Sequence, residues 1–123
     1  MNVVVVFVGG GIGAAARYWL QGVVYGWTGA GFPYGTLAVN VLGSLLIGLL
    51  MSLFEERFLV QPELRLFLTI GILGGFTTFS TFSYETFRLL EEGDFIIAST
   101  NVLASVLTCL LFTWLGIIAA RYV

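Results

Sequence analysis

The chain is 123 residues long, 59% hydrophobic and 10% charged, with a mean hydropathy of +1.01, against about 45–50% apolar and about 25% charged in ordinary soluble domains. Its charges are five Arg and seven Asp or Glu, none of them in Leu66 to Tyr84 or Phe95 to Ala120, so no water-soluble surface can be built and the solvent is a lipid bilayer. Lys and His are absent and Cys109 is the one cysteine, which excludes imidazole and Schiff-base chemistry, a thiolate metal cage and an intrachain disulfide; a net charge of −2 without basic clusters excludes nucleic acid as a partner.

A helix that crosses the ~30 Å hydrocarbon core needs about 20 apolar residues, and four stretches meet this: 3–25, 36–54, 64–90 and 95–123. The expected fold is an all-α integral membrane domain over residues 1–123, with four transmembrane helices. Met1-Asn2 supplies no basic side chain ahead of the first apolar run, so that run is expected to stay as a helix, not to act as a signal. Gly11-Ile-Gly13-Ala-Ala-Ala16 imitates a dinucleotide fingerprint, but the acid that such a motif needs about 20 residues on is missing, since the first acid is Glu55. Gly9-x-x-x-Gly13, Gly22-x-x-x-Gly26 and Gly71-x-x-x-Gly75 instead predict close helix–helix contacts. In the second span Asn40 is followed by Ser44 and Gly48 on the same helical face. A buried Asn must hydrogen-bond; it serves either as glue between helices or as an amide donor to a passing anion.

The third span is the unusual one. Its middle reads Gly74-Gly75-Phe-Thr-Thr-Phe-Ser-Thr-Phe-Ser83, adjacent glycines followed by β-branched, hydroxyl and aromatic residues that make a poor continuous helix. The segment is either a kinked helix whose hydroxyls bond back to their own backbone, or a helix broken in mid-membrane. A break is tolerated only where the freed backbone groups meet protein, water or an ion. Phe76, Phe79 and Phe82 recur every third residue, with Thr77, Ser80, Thr81 and Ser83 beside them. Such a stripe serves packing, or it lines a narrow path with positive ring edges and hydroxyl donors suited to a small dehydrated anion. Glu85 follows the polar run, either as a gate or as an interfacial charge.

The last span places Asn101, Ser105 and Thr108 at helical spacing, with Cys109 adjacent. Arg57, Arg65 and Arg121 fall on one side of the membrane, and Arg88 and Arg17 toward the other. This is little positive-inside bias, and a chain so balanced can insert both ways, which permits an antiparallel dimer. No nucleophile–base pair or metal cluster is present, so an enzyme is not expected.

The run from Gly74 to Ser83, with Gly35-Thr-Leu-Ala-Val-Asn-Val-Leu-Gly-Ser44 and Gly9-Gly-Gly-Ile-Gly-Ala-Ala-Ala-Arg17-Tyr before it, closely resembles the Fluc (CrcB) fluoride channel family across essentially the whole chain. The resemblance implies an antiparallel, dual-topology homodimer in the cell membrane, with two pores that export fluoride passively. It implies a structural sodium ion at the dimer interface, held by the backbone carbonyls of Gly74 and Thr77. It further implies a fluoride path past Asn40, Phe79, Phe82, Ser80 and Thr81, and it matches Arg17 to the family's first-helix arginine and Glu85 to the acid after the break, as gating or vestibule groups. Along the last helix, where family members often line the pore with a tyrosine or hydroxyl residues, this chain offers Asn101, Ser105 and Cys109 or Thr108, with Ser105 taken as the pore residue. A small drug or cation exporter would need an acid in the first helix, where this chain has Arg17. An accessory subunit of a larger complex would leave the glycine, phenylalanine and hydroxyl run unexplained.

Overall fold

The computed structural model describes residues 1–56 and 59–123; Arg57, used above for orientation, lies outside the described residues. The first helix runs Asn2–Thr28 and stops at Gly29, whose φ of 73° is open to glycine at little cost. The second helix is Tyr34–Glu56. The third span begins as α-helix at Pro62–Leu66, widens to a π-helix over Phe67–Leu73 and returns to α-helix at Gly74–Phe76; these segments form its leading arm. Thr77 and Thr78 are extended, and a trailing arm resumes at Phe79–Glu91. After a turn through Gly93 (φ 83°) the last helix covers Phe95–Ala120 and ends there, short of the expected 123. All four spans are long and apolar enough to cross a membrane.

Small residues set the packing. A Cβ on Gly9 would stand 2.9 Å from the Gly71 Cα, and one on Gly13 would stand 2.9 Å from the Ile72 carbonyl carbon and the Phe76 nitrogen. Gly75 in turn meets the backbone of Gly10 and Ala14. The first helix and the leading arm therefore cross backbone to backbone, as the Gly9–Gly13 and Gly71–Gly75 spacings predict. Gly22 and Gly26 differ from that expectation: nothing among the described residues lies within 4 Å of either. A second close crossing joins the second and last helices, where Gly48 meets the backbone of Thr113, and Gly116 that of Leu45, Gly48 and Leu49.

The resulting distribution of side chains is inverted relative to a soluble protein. Thr36, Ser52, Asn101 and Ser105 are buried, while Phe7, Trp19, Leu103, Leu107, Leu110 and Trp114 are exposed. Water would penalise that apolar exterior; lipid does not, provided the interior polar groups bond to one another. The chain is a multi-pass membrane protein.

Candidate ion path

The interruption at Thr77 and Thr78 is built from a redistribution of hydrogen bonds. In a continuous α-helix each N–H donates to the carbonyl four residues back. The Thr78 N–H, which would go to the Gly74 oxygen, donates instead to Asn40 Oδ1 at 2.8 Å. Asn40 Nδ2 donates to the Thr78 oxygen at 3.0 Å, so one side-chain amide satisfies both backbone groups of that residue. The Gly75 oxygen, deprived of its partner by the turn of the chain, accepts from Arg17 Nε at 3.0 Å. The Thr81 N–H, which would reach the Thr77 oxygen, donates to Thr78 Oγ1 at 3.2 Å, so Thr78 caps the trailing arm. The donors that would have gone to the Gly74 and Thr77 carbonyls are thus committed elsewhere.

Gly74 and Gly75 themselves are helical; the chain opens at the threonines that follow. Thr77 is still attached to the leading arm, its N–H and hydroxyl both donating to the Leu73 oxygen at 3.1 and 3.0 Å. Thr78 is the functional residue that the composition of this run did not single out. Its signal was a threonine three residues ahead of Thr81 at the head of a helix, the spacing over which a cap reaches back.

Beside the interruption lies a groove of about 480 Å³ between the second helix, the third span and the last helix. Of the site residues expected from the sequence, Asn40, Gly74, Thr77, Phe79, Phe82 and Ser105 line it, and no charged side chain among the described residues does. Phe82 is buried and Phe79 is 76% exposed, their ring centroids 5.3 Å apart and their planes tilted by 51°. Ser80 and Thr81, also expected there, do not line the groove; they reach it only through Thr78, the Ser80 hydroxyl 3.4 Å from that of Thr78 and the Thr81 hydroxyl accepting from Thr78 at 3.0 Å.

Behind the groove, Ser105 Oγ donates to Asn101 Oδ1 at 3.3 Å, Asn101 Nδ2 to Thr86 Oγ1 at 2.8 Å, and the Thr86 hydroxyl to the Phe82 oxygen at 2.8 Å. This relay ties the last helix to the trailing arm, and Asn101, only 1% exposed, is its centre. Thr86 had no sequence signal beyond its hydroxyl.

Arg17 and Glu85, the gating or vestibule candidates, have different partners. Arg17 serves the Gly75 carbonyl, whereas Glu85 accepts from the Tyr25 hydroxyl at 2.8 Å beside a separate cavity of about 490 Å³. Chemically the groove offers amide and hydroxyl groups and aromatic rings, with no carboxylate among the described residues, an arrangement suited to an anion that sheds its water.

The sequence also matches, over residues 4–117, the family described as CrcB-like protein, Camphor Resistance (CrcB). It is 62% identical over 121 residues to the fluoride-specific ion channel FluC of Geotalea daltonii, covering 97% of this chain and 98% of that one. It is 60% identical over 122 residues to the fluoride-specific ion channel FluC of Geobacter metallireducens, covering 99% and 98%. The protein of the same name from Geobacter sulfurreducens is 60% identical over 120 residues, covering 98% and 97%.

Proposed function

The chain belongs to the CrcB family, and from that membership and the donor-lined groove we propose that it is a fluoride-selective ion channel, not an enzyme. It carries fluoride passively down its electrochemical gradient, lowers cytoplasmic fluoride and so confers resistance to it. The observation that carries this reading is the pairing of Asn40 with the Thr78 backbone, which holds a helix open beside a groove of hydroxyls and phenylalanine rings.

Fluoride is small and holds its water tightly, so passage requires donors that replace the shell. Asn40 has a second amide hydrogen beyond the one given to Thr78, the Ser80 and Thr81 hydroxyls stand next to that of Thr78, and the Phe79 and Phe82 rings offer positive edges. Phe82→Ile keeps the bulk and removes the edge. Fluoride efflux from vesicles is expected to fall about tenfold, with the variant still eluting as the wild-type oligomer. Wild-type flux in that folded variant would remove Phe82 from the path.

The functional unit we propose is a homodimer of two antiparallel copies, with dual topology and two pores. Four short spans with a groove open on one side leave polar groups that a second copy can cover, and the arginine balance permits both orientations. The interruption of the third span then lies in mid-membrane at the twofold axis. The Gly74 and Thr77 carbonyls of each copy, released from helical donors, would hold a structural sodium ion there, backbone oxygens being the hard ligands such a cation takes. Two carbonyls cannot enclose an ion, whereas the doubled set can. The ion supplies a fixed positive charge in a low-dielectric region, where Coulomb terms are large. Replacing all sodium by a bulky organic cation is expected to cut fluoride flux at least about tenfold and to be reversed by adding sodium back. Undiminished flux without sodium would refute that site.

A further inference from the structure

Glu85 is held by a directed chain of hydrogen bonds. Its Oε2 accepts the single hydrogen of the Tyr25 hydroxyl at 2.8 Å, so the 3.4 Å contact between Tyr25 and Thr36 Oγ1 must carry the threonine's hydrogen toward Tyr25. The Thr36 N–H also points to the Tyr25 oxygen at 3.4 Å, and Gln21 Nε2 donates to Thr36 Oγ1 at 3.1 Å. First helix, second helix and trailing arm all contribute, and every donation runs toward the carboxylate, where charge-assisted bonds are strongest. Gly35 makes the arrangement possible: a Cβ there would stand 2.7 Å from Tyr25 Cδ2 and 2.9 Å from Cζ.

The carboxylate has little else to hold it. Its Oε1 is buried with no partner among the described residues. Arg88, which lines the same cavity, is engaged by Tyr84 at 3.5 Å and Glu92 at 3.4 Å. One helical turn back, at i−4, lies Thr81, whose hydroxyl oxygen accepts from Thr78 while its own hydrogen remains available.

We propose that Tyr25 is a positioning residue whose hydroxyl holds the Glu85 carboxylate off the donor track, leaving the Thr81 hydrogen for fluoride. The inference rests on the fluoride path proposed above. Without the Tyr25 hydroxyl, neither carboxylate oxygen has a partner, and Glu85 turns back to take the Thr81 hydrogen. A competing acceptor and a negative charge then stand beside the proposed donor track.

The test is fluoride efflux from vesicles loaded with fluoride, followed with a fluoride electrode, for purified protein of matched oligomeric state. Tyr25→Phe is expected to slow efflux about tenfold, the weight of a lost hydrogen bond to a charged group. Adding Glu85→Gln to it removes the charge, and the double variant is expected to come within about threefold of Glu85→Gln alone. Gly35→Ala keeps the hydroxyl but displaces the ring, and should lose flux as Tyr25→Phe does. If Tyr25→Phe yields no folded protein, Gly35→Ala with and without Glu85→Gln makes the same comparison. Tyr25→Phe with wild-type flux overturns the proposal, because the carboxylate then needs no anchor or finds Arg88. A double variant as slow as Tyr25→Phe also overturns it, because Tyr25 then acts through something other than Glu85. Wild-type vesicles that hold their fluoride would instead defeat the underlying path, a result distinct from either.

Discussion

Asn40→Asp, an exchange of one nitrogen for one oxygen, is expected to reduce fluoride flux by about a hundredfold or more. The Asn40 amide is matched atom for atom to Thr78, its Oδ1 receiving the N–H at 2.8 Å and its Nδ2 donating to the carbonyl at 3.0 Å. Aspartate keeps the first bond and turns the second into two oxygens facing each other. An acceptor left unsatisfied in a buried site costs about 1–3 kcal/mol. A unit charge about 4 Å from a passing anion adds about 4 kcal/mol of repulsion at an effective dielectric of 20. The two costs act at the same point, where the third span opens onto the groove. Efflux measured beside size-exclusion elution separates them: loss of flux with a normal oligomer reports the charge in the path, and loss of the oligomer reports the failed support of Thr78. Retained flux would place Asn40 outside the path and leave it as interhelical glue.

Gly13→Val is expected to prevent assembly of the folded protein. Even the first added carbon would lie 2.9 Å from the Ile72 carbonyl carbon and the Phe76 nitrogen, closer still to the Ile72 oxygen. These are backbone atoms of a neighbouring helix, which cannot rotate away as a side chain can. The first helix would be pushed off the leading arm, which also removes Arg17 from the Gly75 carbonyl. A cost of about 3 kcal/mol or more is expected to appear as aggregated or degraded protein on extraction in detergent. Gly31→Ala is the matched control, since a Cβ at that loop position would meet nothing within 4 Å among the described residues beyond its chain neighbours, and should stay within about 0.5 kcal/mol of wild type. Wild-type yield and elution for Gly13→Val would show that the first helix does not cross the third span at this point.

The spans were legible in the sequence because apolar runs bounded by Gly, Pro and acidic turns are local signals. So were the crossings at Gly9, Gly13, Gly71 and Gly75, since spacing alone puts small residues on one face. The same spacing misled at Gly22 and Gly26, because a small-residue pair states that a helix can be approached closely, not that another helix in the chain does so. The position of the interruption was shifted for a related reason. Adjacent glycines favour opening a helix, yet Gly74 and Gly75 stay helical, and it is Gly75 whose bare backbone lets the first helix approach. The chain opens at Thr77 and Thr78, where partners are supplied by Asn40, 38 residues away, and where Arg17, 58 residues away, takes up a freed carbonyl. Pairings at that separation leave no periodic trace. Tyr25 escaped notice for the same reason, since its partner Glu85 is 60 residues distant and ordinary spacing rules say nothing about it. The widened turn over Phe67–Leu73 was invisible because its residues suit an ordinary α-helical span equally well.

The proposed channel passes fluoride and little else. Purified protein is reconstituted into liposomes loaded with fluoride or with chloride, a potassium ionophore is added to release the electrical constraint, and each anion is followed with its electrode. Rapid fluoride release that protein-free vesicles lack is expected, with chloride retained over the same interval. Vesicles shown to contain folded protein that hold their fluoride, or that release chloride as fast, would contradict it.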